Sequence, residues 1–361
     1  MIEYENLRRV NAPFFPDYER ELRSILESGW FVLGAAVTRF EKEFAAYVSC
    51  NHCMGVASGL DALTLALRAF EFEDGGEVIV PSNTYIATIL SILHNRLQPV
   101  LVEPDAKTYN IDPGLIERRL TPKTRAVVVV HLYGKPCDMD PIVSLCRKHG
   151  LRLIEDCAQS HGAIYKGRMT GTFGDFGCFS FYPTKNLGAL GDAGAIVTDD
   201  EALADRIRVL RNYGSRIKYY NETVGFNSRL DELQAAFLSV KLKHLGEVTA
   251  HKRMLAALYD ELISDRFIKP IVEPHSTDVY HIYNIRHQRR DRLRAHLLDK
   301  GIKTEIHYPV SPNRQEAMKG IIDHEPCPIS EEIHATTLSL PISSFHTAED
   351  VREVAQAVNS Y

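Results

Sequence analysis

Lysine 185 stands where a nucleophilic amine could be made. It follows the aromatic run Cys178-Phe-Ser-Phe-Tyr182-Pro-Thr and precedes Gly188-Ala-Leu-Gly191-Asp-Ala-Gly194. Apolar surroundings lower an amine's pKa and make it reactive near neutral pH. Most lysines are solvated surface groups, so the aromatic approach is what sets Lys185 apart. The glycines let the backbone come close to a flat ligand. Their G-x-x-G-x-x-G spacing is not the dinucleotide fingerprint.

Asp156 closes the run Leu151-Arg-Leu-Ile-Glu-Asp156. Ligands of open parallel sheets bind beyond the carboxyl ends of the strands, and a carboxylate buried there needs a partner. One partner is a pyridinium nitrogen, which the carboxylate keeps protonated so that the ring draws electrons more strongly. Taken alone, the run reads more readily as a helix cap. A third signal is Ala57-Ser58-Gly59-Leu60-Asp61. Small residues opening a buried helix leave free N–H groups for a phosphate, although Ser58 could also serve only as a cap.

These residues need elements to hold them. Glu77–Val80, Pro99–Val102, Ala126–Val130, Leu151–Ile154 and Ala195–Thr198 read as short buried strands, β-branched and bounded by turn residues. Helical patterns at Leu60–Phe70, Asp138–His149 and Glu201–Arg211 lie between them, which predicts βαβ units and a mostly parallel sheet. A long helical stretch, Asp231–Asp260, leads into a compact α+β pattern. That pattern comprises strand-like Tyr280–Ile285, helix Asp291–Lys300, strand-like Thr304–His307 and helix Ala348–Val358. The expected division is a large domain over 1–250 and a small one over 251–361.

Bulk properties agree with such an architecture. The chain has 361 residues, enough for one large α/β domain and a smaller one. A net charge of −5 offers no basic field for nucleic acid, and Arg289, Arg290 and Arg292 read as a solvated helix start. No stretch resembles a signal peptide or a membrane span. The seven cysteines include one CxxC, Cys50 to Cys53, without the second pair of a zinc site. Free thiols in a reducing cytoplasm are expected.

Phosphate loop, strand-end acid and apolar-flanked lysine occur in that order along the chain. With them stand Pro81-Ser-Asn-Thr-Tyr85-Ile-Ala-Thr88, Ile154-Glu-Asp-Cys-Ala-Gln159-Ser-His-Gly162 and Gly225-Phe-Asn227-Ser-Arg229-Leu-Asp-Glu-Leu-Gln234-Ala-Ala. Here the sequence resembles the DegT/DnrJ/EryC1/StrS nucleotide-sugar aminotransferases over nearly its whole length. The resemblance implies an α/β fold of type I, with a mostly parallel seven-stranded sheet flanked by helices plus a small α+β domain. It also implies pyridoxal 5'-phosphate as cofactor.

Residue by residue, Lys185 matches the lysine that holds the cofactor as a Schiff base and shuttles protons. Asp156 matches the partner of the pyridine nitrogen, Gln159 the amide near the ring hydroxyl, and Tyr85 the stacking aromatic. Ser58, Gly59, Leu60 and Ser180 match the phosphate site, with Leu60 departing from the family's usual Thr or Ser, so that its contact would be backbone only. Asn227 matches a phosphate ligand given by the neighbouring subunit, which implies a homodimer with shared sites. Tyr182, Arg229, His307 and Tyr308 are the candidates for substrate contact.

The run 186–194 and His307-Tyr-Pro-Val-Ser-Pro312 look like the members that act at C-3. Glutamate as donor and a dTDP-linked 3-keto-6-deoxyhexose as acceptor are therefore implied. A C-4 aminotransferase is the closest alternative, and a silent binding or regulatory protein the more distant one. A dehydratase of the same family would carry His in place of Lys185.

Overall fold

The computed structural model describes residues 1–361. At its centre lies a seven-stranded sheet. In spatial order the strands are His52–Val56, Gly194–Thr198, Phe176–Ser180, Arg152–Asp156, Thr124–Val130, Glu77–Pro81 and Gln98–Val102. Gly194–Thr198 runs antiparallel to both its neighbours, and the other pairings are parallel. Val78 and Val80 face one core while Ile79 faces another; Val128 and Val127 divide in the same way. Burial on both faces is why these strands read as unbroken apolar runs rather than alternating ones.

Helix Gly59–Ala69 packs on one face of the sheet and Met139–His149 on the other. A third core joins helices Ala35–Val48 and Glu232–Leu242 to Phe179 and Phe181 of the sheet region. Glu232 holds that junction, accepting the backbone N–H groups of Gly34, Ala36 and Val37 at the start of the Ala35–Val48 helix. Those N–H groups have no partner within their own helix.

A separate core gathers Leu255, Tyr259, Tyr283, Ile285, Leu338, Leu340 and Val354, and Ile2 at the other end of the chain joins it. Its two-stranded sheet pairs Tyr283–Arg286 with Thr337–Leu340, antiparallel.

Several expectations need adjustment. The long helical stretch is two helices, Glu232–Leu242 and Leu245–Leu262, with the break at Lys243 and His244. Thr304–His307 is not a strand: only Glu305 bridges, to Ser339, while Ile306 packs on the core around Tyr259 and Tyr283 and His307 lines a cavity. Several elements went unread, among them helices Phe15–Ser28, Ala35–Val48 and Ile86–His94. The His52–Val56 strand is an edge strand of mixed, small residues, and the helix Pro328–Thr336 lies in a polar run.

Candidate active site

The Arg152–Asp156 and Phe176–Ser180 strands are parallel neighbours, so their carboxyl ends lie side by side. Asp156 is buried at the end of the first. Its Oδ2 accepts from Thr88 Oγ1 at 2.8 Å and its Oδ1 from the backbone N–H of Ala158 at 3.1 Å. No helix follows it, so the alternative reading as a helix cap does not hold. Burial pushes its carboxyl pKa up, against the two hydrogen bonds and the charge of Lys185. Both its donors are neutral, so the carboxylate lacks a hydrogen-bonded cation.

Lys185 sits on a turn closed by its own N–H to the Tyr182 carbonyl at 2.8 Å. Burial lowers its ammonium to about 8, and the charge of Asp156 opposes the shift. The Phe176–Ser180 strand stops short of Tyr182, so the lysine stands on the loop beyond it rather than at the strand's end.

Ser58 caps helix Gly59–Ala69, its Oγ accepting from Asp61 N at 3.1 Å. That role accounts for one expected feature, and the free N–H groups of Gly59 and Leu60 at the helix start remain as the other. Packing demands glycine here. A Cβ on Gly59 would lie 2.5 Å from Ser180 Cβ, and one on Gly194 would lie 2.4 Å from the Ser58 backbone. Ser58, Gly59 and Ser180 are thus brought together at one spot.

Gln159 is fixed at both ends. Its Oε1 accepts from Tyr133 N at 2.6 Å and its Nε2 donates to the Tyr308 hydroxyl at 3.0 Å. Tyr85, half exposed at the start of helix Ile86–His94, lies with its ring centroid 5.1 Å from that of Tyr308. Tyr182 and His307 line a cavity of about 330 Å³ together with Tyr4, His281 and Glu305. His307 Nδ1 lies 2.9 Å from Ser339 Oγ, and burial lowers its pKa to about 4.

Within one protomer Asn227 and Arg229 make no hydrogen bond to the other candidate residues. Asn227 is exposed and bridges Asn212 through its backbone, and Arg229 donates to Asn212 Oδ1 at 3.1 Å. Their neighbour Ser228 accepts from Ala57 N at 3.2 Å, so the segment runs beside the phosphate loop.

Several residues of the site were not singled out in the sequence, His281 and Glu305 of the cavity among them. Thr88 stood in a quoted stretch, three positions after Tyr85, but received no role. Tyr133 adopts a left-handed conformation, φ 62°, which aims its N–H at Gln159. Only the Tyr-Gly pair at 133 and 134 hinted at a turn there. Tyr4 reaches the cavity from the amino-terminal segment, with no signal in the sequence.

These groups fit pyridoxal phosphate. A buried carboxylate lacks a hydrogen-bonded cation, a lysine of lowered pKa lies within reach of its charge, a glycine opens the helix beside Ser58 and Ser180, and a half-exposed aromatic ring stands nearby. The DegT/DnrJ/EryC1/StrS aminotransferase family model matches residues 16–359. The chain belongs to that family. It is a pyridoxal-phosphate-dependent aminotransferase of fold type I.

The dTDP-3-amino-3,6-dideoxy-alpha-D-galactopyranose transaminase of Aneurinibacillus thermoaerophilus is 50% identical over 362 residues, covering 100% of this chain and 99% of the relative. Among solved structures, S. venezuelae DesV in complex with a ketimine intermediate superposes with a TM-score of 0.97 at 43% identity, covering 99% of this aminotransferase and 98% of DesV. NtdA of Bacillus subtilis, with the cofactor PMP bound, gives 0.91 at 28% identity, over 99% and 85% of the two chains.

Proposed function

We propose that this aminotransferase moves the amino group of L-glutamate to C-3 of a dTDP-linked 3-keto-6-deoxyhexose. The observation that carries the reading is the full-length, 50% identity to a dTDP-3-amino sugar transaminase. The run 186–194 and the segment 307–312 support C-3 over C-4.

Bound pyridoxal phosphate supplies an electron sink for charge left at the donor's Cα. The chain's own groups do the rest. The helix start at Gly59 and Leu60, with Ser58 and Ser180, holds the phosphate. Asp156 sets a negative charge where the pyridine nitrogen belongs. Tyr85 stacks on the ring, and Gln159, pinned by Tyr133, presents its amide to the ring hydroxyl. In each half-reaction Lys185 Nζ would carry a proton between the substrate carbon and the bound cofactor, one amine acting as base and then as acid. A pKa of about 8 suits both duties near neutral pH. Tyr182, His307 and Tyr308 flank the space left for the sugar.

The working unit is a homodimer with shared sites, Asn227 reaching the partner's phosphate and Arg229 its substrate. Exposed apolar side chains support this: Trp30, Phe31 and Val32 in one segment, and Ile217, Tyr219, Tyr220 and Val224 in another. The division into units at 1–250 and 251–361 is supported by the separate core around Tyr259 and Tyr283. Residue 250 lies within the Leu245–Leu262 helix, which would carry the connection. All seven cysteines are free, which supports a cytoplasmic location. No helix is long and apolar enough to cross a membrane.

The test is incubation with glutamate and a panel of 3-keto and 4-keto sugar nucleotides, read by mass spectrometry. The reading requires a 3-amino sugar nucleotide and an equal amount of 2-oxoglutarate. Turnover confined to the 4-keto compounds would overturn it.

A further inference from the structure

Glu155 precedes Asp156 on the same strand, so its side chain points to the opposite face. It is fully buried, as is His131 at the end of the adjacent strand. Glu155 has no part in the chemistry described above, yet it accepts four hydrogen bonds. Its Oε1 receives the backbone N–H groups of Phe173 at 2.6 Å and Gly174 at 2.8 Å. Its Oε2 receives Gly171 N at 2.7 Å and faces His131 Nε2 at 3.0 Å.

The imidazole tautomer follows from its other nitrogen. His131 Nδ1 lies 3.0 Å from the backbone N of Cys137, which can only donate. The ring proton is therefore on Nε2, aimed at Glu155. The same histidine's backbone N–H donates to the Asp156 carbonyl at 3.1 Å. His131 thus grips Glu155 by its ring and Asp156 by its main chain. Cys157 completes a buried trio with them, their potential ligand atoms all within 4.8 Å of one another. Both ring nitrogens and both carboxylate oxygens are already engaged by the protein, so the trio is not a metal site and the hydrogen-bonded unit is the His131–Glu155 pair.

We propose that His131 and Glu155 are positioning residues for Asp156: their buried pair fixes the strand end that aims the Asp156 carboxylate at the cofactor's pyridine nitrogen. The pair acts through Asp156 and touches neither cofactor nor substrate. Thr88 and Ala158 hold the carboxylate itself, whereas the pair holds the peptide that carries it. A displacement near 1 Å in such a group costs on the order of 10²-fold in rate.

The inference rests on the reading of Asp156 as the partner of that nitrogen. The test uses full-length holoenzyme loaded with pyridoxal phosphate labelled with ¹⁵N in the ring, in wild type, D156N, E155Q, H131N and H131Q. The asparagine of H131N can still receive Cys137 N–H but cannot reach Glu155, whereas the longer glutamine amide can reach Glu155. The pyridine ¹⁵N shift of E155Q and H131N should move from the wild-type value toward that of D156N. Their kcat for the glutamate half-reaction should fall roughly 10- to 10²-fold with KM for glutamate little changed, and H131Q should recover most of both.

If E155Q does not fold, H131N, which leaves the three backbone bonds to Glu155 in place, carries the test. Folded variants with the wild-type ¹⁵N shift and kcat, altered only in melting temperature, would overturn the proposal and leave the pair a support for the Gly171–Gly174 loop. A D156N enzyme whose ¹⁵N shift equals that of wild type would instead refute the role of Asp156 on which the proposal stands.

Discussion

Thr88 Oγ1 lies 2.8 Å from Asp156 Oδ2 and, on its other side, 2.8 Å from Thr84 Oγ1, so a chain of hydroxyls from the start of one helix steers the strand-end carboxylate. A hydrogen bond to a charged group contributes about 1.5–3 kcal/mol. T88V should therefore slow the glutamate half-reaction by roughly 10- to 10²-fold, and T88S should restore it. Stopped-flow measurement of cofactor bleaching with glutamate reads this directly. A T88V enzyme as fast as wild type would remove Thr88 from the account.

Asp156 itself should be the more severe loss. D156N keeps the size and one acceptor but removes the fixed charge. If that charge contributes ~3 kcal/mol to the transition state, deprotonation at Cα slows by about 10²-fold or more. Cofactor binding, measured by equilibrium dialysis, should survive in part. Near-normal turnover would contradict the assigned role.

The pH dependence of cofactor capture follows from Lys185. An amine reacts in its unprotonated form, and burial brings this one from 10.5 to about 8. Below that value the ammonium accumulates, so the rate at which cofactor-free enzyme captures pyridoxal phosphate should rise about tenfold per pH unit and level off above pH ~8. Asp156 raises the Lys185 pKa, so the midpoint in D156N should move lower. A wild-type rate still climbing steadily to pH ~10 would show an amine of ordinary basicity.

Subunit exchange tests the shared site. K185A and N227D should each be inactive, the second because it sets a carboxylate against a phosphate dianion. A mixed dimer holds one site with both lesions and one with neither. Random exchange makes about half the dimers mixed, so activity should recover to roughly a quarter of wild type. Proven exchange without recovery, or a fully active monomer in solution, would rule out the shared site.

How much of this was legible in the sequence depended on how local the signal was. Val127 to Val130 and Val78 to Val80 announced themselves because both faces of the sheet are covered, leaving no polar positions to break the run. His52-Cys-Met-Gly-Val56 did not, because Gly55 has no side chain for Leu230 to collide with and the strand lies at the sheet's edge. In the site, Lys185 and Asp156 stood out through their immediate neighbours. Thr88, Tyr133 and Tyr4 gain their positions from contacts made far along the chain, as Tyr133 does by donating its hydroxyl to the His307 carbonyl. Arg229 and Asn227 carry a signal that contacts within the protomer do not explain, and that the proposed shared site would.

The most direct test of the account is where the cofactor becomes attached. Purified enzyme loaded with pyridoxal phosphate is reduced with borohydride, digested and analysed by mass spectrometry. The pyridoxyl group should be found on the peptide containing Lys185 and nowhere else, and K185A should show no reducible link and no transamination. A pyridoxyl group on any other lysine, or a K185A enzyme that still bleaches with glutamate, would contradict it.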